Sequence, residues 1–264
     1  MLLTGSPTNM DNPPTDYTLY PSLQGQGVFI TGGATGIGAE LVRAFCRQRA
    51  RVAFVDRDDA AAATLCAQLN NDELWYRTVD VTDVDALKRA INDAVIHIGG
   101  LYVLINNVAN DQRHQAAEIN EQGWRDCLSV NLDASFFAAQ TALPFLQQQG
   151  GSIINFSSIN ALLGPDNMPG YVAAKSALLG LSKSLAQEWG RFNIRVNALL
   201  PGWVVTDRQL AMWLTPEDEE QWMQQVAIQR RLLPQDVAKL ALFLAADDSQ
   251  MITGQALVID GGRT

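Results

Sequence analysis

The sequence predicts an α/β fold, a single doubly wound parallel-sheet domain with helices on both faces and a helical lid. Three observations predict it. From Gly27 onward, short β-branched apolar runs alternate with stretches of helical periodicity. The runs are apolar throughout, as strands buried on both faces must be. Glycines and polar residues cluster directly after the runs, beyond the carboxyl ends of the strands, where such sheets bind ligands.

The 264 residues suit one domain better than two. A chain of that size buries a large apolar core without metal or disulfide support. A net charge of −9 argues against a sequence-independent grip on nucleic acid or anionic membrane. Cys46, Cys66 and Cys127, with only His97 and His114 to assist, show no ligand spacing. No metal site is expected, and a reducing cytoplasm is the natural setting. The first basic residue is Arg43, so no secretory or transit signal is expected. The longest strongly apolar stretch, 240–246, is too short to span a bilayer.

Taken in order, residues 1–22 read as an N-terminal tail, mobile or lying on the surface, rich in Pro, Asn, Thr and Asp. The remaining 23–264 form the folded domain. Strands are expected at 28–31, 52–56, 74–80, 101–106, 152–157, 194–200 and 256–259. Helices are expected at 36–49, 58–69, 84–98, 121–148, 171–189 and 234–245.

The first strand runs into Thr31-Gly32-Gly33-Ala34-Thr35-Gly36-Ile37-Gly38 and then a helix. Glycine lets backbone approach a pyrophosphate closely, and the helix start offers free N–H groups and a positive dipole end. Gly32, Thr35, Gly36, Ile37 and Gly38 are therefore candidate cofactor residues. Asp56 ends the second strand, where a carboxylate accepts hydrogen bonds from the adenosine ribose and repels a 2′-phosphate. This favours NAD over NADP, while the adjacent Arg57 is the residue that would suit NADP. Asp80 and Val81 end the third strand, placed for the adenine edge. Asn106, Asn107, Val108 and Ala109 end the fourth, beside the expected nicotinamide ribose.

Asn110, Asp111, Arg113 and His114 follow, and polar groups in that number suit a polyhydroxylated substrate. A solvated surface pair of Asp111 with Arg113 is the competing reading. Asn131 falls inside the helix expected at 121–148, where asparagine is a poor interior residue, so a kink or a water site is expected. Ser158 closes the fifth strand and can donate to a substrate oxygen, with Ser157 as its competitor and Asn160 as a further substrate candidate. Tyr171 and Lys175 are four residues apart and share one helix face. A free tyrosine is a poor base at neutral pH, but a nearby ammonium favours the phenolate. The segment 203–233 interrupts the rhythm. Its Thr215-Pro216-Glu217-Asp218 is a helix start, so we expect a helical lid carrying Trp203, Trp213 and Trp222.

With these residues in hand, the chain resembles the short-chain dehydrogenase/reductase family over residues 23–262. The resemblance rests on Thr31-Gly32 with Gly36-Ile37-Gly38, Asp80, Asn106-Asn107, Asn131, Ser158, Tyr171 with Lys175, and Pro201-Gly202, in the family's order. It implies a Rossmann-type domain and a catalytic tetrad. Tyr171 is then the acid/base, and Lys175 lowers its pKa and holds the nicotinamide ribose. Ser158 orients substrate, and Asn131 anchors a proton-relaying water. Pro201, Gly202, Val204 and Thr206 are implied to hold the carboxamide edge. The family's usual Asn-Asn-Ala-Gly here reads Asn106-Asn107-Val108-Ala109.

Within the family the chain looks most like NAD-dependent aldose 1-dehydrogenases of the D-xylose type. The likeness rests on Tyr20-Pro21-Ser22-Leu23, on Asn110-Asp111-Gln112-Arg113-His114, and on Arg208-Gln209 with Trp213-Leu214-Thr215-Pro216-Glu217. It implies oxidation of a pentose or deoxyhexose to its aldonolactone by a homotetramer or dimer. A reductase of oxoacyl or other carbonyl substrates, or a dehydrogenase of another secondary alcohol, is the alternative.

Overall fold

The computed structural model describes residues 17–71 and 73–264. The part of the expected tail at 1–16 lies outside the described residues. The seven expected strands are present as β1 (Gly27–Thr31), β2 (Arg51–Asp56), β3 (Trp75–Thr78), β4 (Val103–Asn106), β5 (Gly151–Phe156), β6 (Ile194–Pro201) and β7 (Ala256–Ile259). They form one sheet in the order β3-β2-β1-β4-β5-β6-β7, and every neighbouring pair is parallel. The helices are α1 (Gly36–Arg47), α2 (Asp59–Leu69), α3 (Val84–Ile98), α4 (Glu121–Leu128), α5 (Ala134–Leu146), α6 (Asn160–Leu163), α7 (Pro169–Trp189), α8 (Asp207–Met212), α9 (Pro216–Met223) and α10 (Pro234–Ala245).

The period of two in each strand divides the core between the two faces. Val28, Ile30, Val103 and Ile105 join Leu41, Phe45 and Leu242 of α1 and α10 on one side. Phe29 and Leu104 join Leu87, Ile91 and Trp189 on the other. Strand order reverses between β1 and β4, which opens a crevice at their carboxyl ends. Register brings Thr31 beside Asn106, and Asn106 beside Asn155, so the polar strand ends lie along one edge.

The structure departs from the sequence reading in four places. The strand expected at 74–80 stops at Thr78, because the Asp80 carboxylate bends the chain by accepting from Thr82 N at 2.9 Å and Thr82 Oγ1 at 2.7 Å. Asp80 thus stands in a turn beyond the strand. The helix expected at 121–148 is two helices joined by a π-helical turn, Ser129–Asp133, with Asn131 at its centre. There the Asn131 amide donates to Cys127 O at 3.0 Å, a side-chain bond that competes with the backbone ladder. Helix α7 starts at Pro169, two residues ahead of Tyr171, using proline in its first turn. Finally, residues 17–22 are an arm fixed on α1. Tyr17 is buried with its hydroxyl on Glu40, Tyr20 N donates to Gln48 Oε1 at 2.8 Å, and Gln48 Nε2 donates to Thr18 O at 3.0 Å.

The segment expected to form a lid, 203–233, contains two short helices, α8 and α9. Thr215 caps α9 by accepting from Asp218 N at 3.1 Å, and a bridge between Val204 and Leu232 ties the two ends of the segment together. Among the described residues, no helix is long and apolar enough to cross a membrane.

Candidate active site

A cleft of about 940 Å³ runs along the carboxyl edge of the sheet, from Asp56 and Arg57 at one end to Trp213 and Trp222 at the other. The glycine-rich turn after β1 forms part of its wall. Gly32 sits at φ +69°, where L side chains are strained, and a Cβ on Gly38 would lie 1.7 Å from Gly32 O. Thr35 is extended and makes no side-chain bond to the helix it precedes. The start of α1 is therefore uncapped, with Thr35, Gly36, Ile37 and Gly38 lining the cleft. An open helix end of this kind suits an anion.

Asp56 has a structural task that the sequence did not reveal. Its carboxylate accepts from Ala34 N at 2.9 Å and Asp58 N at 3.1 Å, which fastens the glycine turn to the end of β2. Two hydrogen bonds from Thr82 hold the Asp80 carboxyl below its usual range, with Arg57 adding a smaller effect. Asp80 and Val81 line the cleft next to these residues. Asn107 uses its amide to tie strands together, donating to Gly32 O at 2.9 Å and Thr31 O at 3.1 Å. Asn106 is buried and bonds to Asn155 Oδ1 at 2.9 Å. Val108 and Ala109 line the cleft beyond them.

At the other end, the first turns of α7 bring Tyr171 and Lys175 into a dry environment, 7% and 1% exposed. Lys175 Nζ donates to Phe156 O at 2.7 Å and lies 5.7 Å from the Tyr171 ring centroid. The two serines separate by task. Ser157 Oγ donates to Lys175 O at 2.7 Å and so braces the helix. Ser158 lines the cleft, accepts from Asn160 N at 3.1 Å, and stands near enough to the Tyr171 phenol to favour its ionised form.

Electrostatically, the protein shifts both members of this pair toward their uncharged forms. Burial pushes the Tyr171 phenol up, and Ser158 offsets only part of that. Burial also pushes Lys175 down to about 7, against the pull of Cys127 and Asp111. Proximity of an ammonium therefore does not by itself make this phenol acidic, because desolvation is the larger effect.

Asn131 is fully buried and does not line the cleft. Its Oδ1 accepts from Asn110 N at 2.9 Å and its Nδ2 donates to Asn110 O at 3.0 Å, which pins the loop after β4. Asn110 and Asn160 both line the cleft. Asn110 Oδ1 accepts from Gln112 N at 3.2 Å, and Asn160 Nδ2 lies 3.4 Å from Met168 Sδ. Pro201 and Gly202 follow β6 into the cleft. Gly202 is drawn against the body by its bond to Ile259 O at 2.9 Å. Val204 anchors the lid, and Thr206 caps α8 with its methyl group 3.3 Å from where a Gly36 Cβ would stand.

Sequence reasoning did not find how α8 meets the loop after β4. Asp111 is bound by Arg208 at 3.0 Å and by Gln209 Nε2 at 2.8 Å, and is not paired with Arg113. The Arg113 guanidinium instead lies over the Trp213 ring, 4.7 Å from its centroid. Gln209 also accepts from Trp203 Nε1 at 2.7 Å, and Trp203 meets Trp222 edge-on at 5.5 Å. The tryptophans thus seat the lid and border the cleft together.

A parallel edge with a phosphate turn at one end and a buried phenol–amine pair at the other is the arrangement of a nucleotide-dependent oxidoreductase. The chain belongs to the short-chain dehydrogenase/reductase family. Residues 32–264 match the branch described as Enoyl-(Acyl carrier protein) reductase. A probable galactose dehydrogenase of Rhizobium meliloti (strain 1021) is 44% identical over 247 residues, 92% of this chain and 96% of that protein. A D-xylose 1-dehydrogenase of Caulobacter vibrioides (strain NA1000 / CB15N) is 39% identical over 247 residues, 92% of this chain and 98% of that protein. Among solved structures, a doubly substituted short-chain dehydrogenase/reductase of Serratia marcescens is 32% identical. It superposes with a TM-score of 0.85 over 92% of this chain and 99% of its own.

Proposed function

We propose that the protein oxidises the anomeric carbon of an aldose, a pentose or deoxyhexose, with NAD, and releases the aldonolactone. The observation that carries this reading is the Ser158–Tyr171–Lys175 group opening onto a polar loop at one end of a cleft whose other end is a phosphate turn. The relatives named as galactose and D-xylose dehydrogenases support the sugar class.

The residues fit a nicotinamide dinucleotide. The uncapped start of α1 suits the pyrophosphate, and Asp56 suits an unphosphorylated ribose. Val108, Ala109, Pro201, Gly202, Val204 and Thr206, which line the cleft, would border the nicotinamide. When bound, the oxidised ring supplies the hydride acceptor and a positive charge. That charge would favour the phenolate of Tyr171, whose own proton would first pass to solvent. The phenolate would then take the proton from the anomeric hydroxyl while Ser158 holds the same oxygen in place. Lys175, fixed by Phe156 O, keeps donors for the nicotinamide ribose.

The test is a substrate panel of aldoses, simple secondary alcohols and 3-oxoacyl compounds, each with NAD(H) and NADP(H), followed by nicotinamide absorbance. Aldose oxidation with NAD is expected. Failure on every sugar, alongside good turnover of another class, overturns the reading.

A further inference from the structure

We propose that His114 is a positioning residue for Tyr171, an imidazole that caps the helix carrying the phenol. The inference rests on the reading of Tyr171 as the acid/base.

Helix α7 lacks the usual local cap, since the side chain of Met168 at its N-cap makes no bond to the helix N–H groups. The N–H of Gly170, one residue before Tyr171, donates instead to His114 Nε2 at 3.1 Å. The other ring nitrogen, Nδ1, lies 3.1 Å from Gln112 O. A carbonyl only accepts, so the proton belongs on Nδ1, and Nε2 offers a lone pair to the helix. One neutral tautomer satisfies both contacts. The backbone adds a third tie, with His114 N donating to Asn167 O at 2.7 Å.

Glycine at 170 is part of this arrangement. A Cβ there would lie 3.2 Å from His114 Nε2 and 3.1 Å from Cys127 Sγ, tighter than ordinary side-chain contacts. The loop after β4 is thus strung between two holds: Asn131 on Asn110, and Gly170 on His114. The first is buried beneath the loop, and the second reaches the catalytic helix.

An imidazolium has no acceptor. Protonation would turn an N–H toward the Gly170 N–H at the positive end of α7, so the cap exists only with neutral His114.

Two variants test the proposal, His114→Phe and His114→Gln. The glutamine carbonyl can stand where Nε2 stands and does not titrate. We expect His114→Phe to lower kcat about 10- to 100-fold, through misplacement of the phenol. The KM for NAD should stay within about twofold, because the phosphate turn is untouched. His114→Gln should recover most of that turnover. The proposal is overturned if both variants match wild type, or if His114→Gln is as slow as His114→Phe. Should His114→Phe not fold, His114→Leu, which also lacks an acceptor for Gly170 N, takes its place. Tyr171→Phe is measured beside them. If it turns over normally, the acid/base reading itself fails, a result distinct from a null effect at His114.

Discussion

Lys175 and Tyr171 stand one turn apart on α7, and the lysine spends a hydrogen bond on Phe156 O at 2.7 Å while its nitrogen lies 5.7 Å from the phenol ring. Among the described residues Lys175 makes no ion pair with a carboxylate, and burial outweighs the field of Asp111 on it, so both groups are shifted toward their uncharged forms.

That arrangement predicts a stability cost with a definite pH signature. Burial depresses Lys175 from 10.5 to about 7. Between those values the unfolded chain holds a proton that the folded chain has released, so stability from this group rises with pH. Lys175→Met should melt at or above wild type near pH 7, and the advantage should shrink toward about pH 9.5. Turnover should fall at least about 100-fold. Melting curves of both proteins across that range check the sign, and a constant difference would mean that Lys175 is not desolvated.

The two serines make a second contrast. Ser158→Ala should cut kcat by about 100-fold or more, since it removes the donor beside Tyr171, and should leave the melting temperature nearly unchanged. Ser157→Ala removes the brace on Lys175 O and should cost about 1 kcal/mol of stability with a smaller loss of kcat. Kinetics and denaturant melts on the pair separate the roles, and the reverse pattern would exchange the assignments.

Asp56 carries charge and geometry together, so two substitutions are needed to separate them. Asp56→Asn keeps an acceptor for Ala34 N but loses the charge, and should lower kcat/KM for NAD about tenfold while raising it for NADP. Asp56→Ala should do the same and also destabilise the phosphate turn by about 1 kcal/mol. Comparing kcat/KM for both nucleotides is the measurement. An unchanged preference in Asp56→Asn would remove the carboxylate from cofactor selection.

What was legible in the sequence was whatever one strand or one helix face decides. Strands buried on both faces end where polar residues begin, so Thr31, Asn106 and Ser158 marked the edge of the sheet before any coordinates. The four-residue step from Tyr171 to Lys175 showed a shared helix face. The π-helical turn was hidden because helical spacing continues through 129–133, and the deformation comes from the Asn131 amide bonding to Cys127 O and Asn110. The electrostatic balance was hidden too. Residue type alone suggests an acidic tyrosine beside a lysine, whereas burial decides the sign of both shifts. Contacts between distant segments left no local signal at all, and the latch between Asp111 and Gln209 spans 98 residues.

That latch gives the last prediction. Asp111 accepts from both Arg208 and Gln209 on α8, and Gln209 in turn accepts from Trp203. The ion pair itself is half exposed, so its loss should cost at most about 1 kcal/mol of global stability. Its effect on the lid should be larger than that figure suggests, because these two bonds join α8 directly to the substrate loop. Asp111→Ala should therefore raise the KM for sugar about 5- to 20-fold, as the closed lid becomes less populated, with NAD binding nearly unaffected. Asp111→Asn, which keeps one acceptor for Gln209, should fall between Asp111→Ala and wild type. If instead kcat drops and KM holds in both variants, Asp111 acts on the chemical step rather than through closure of α8.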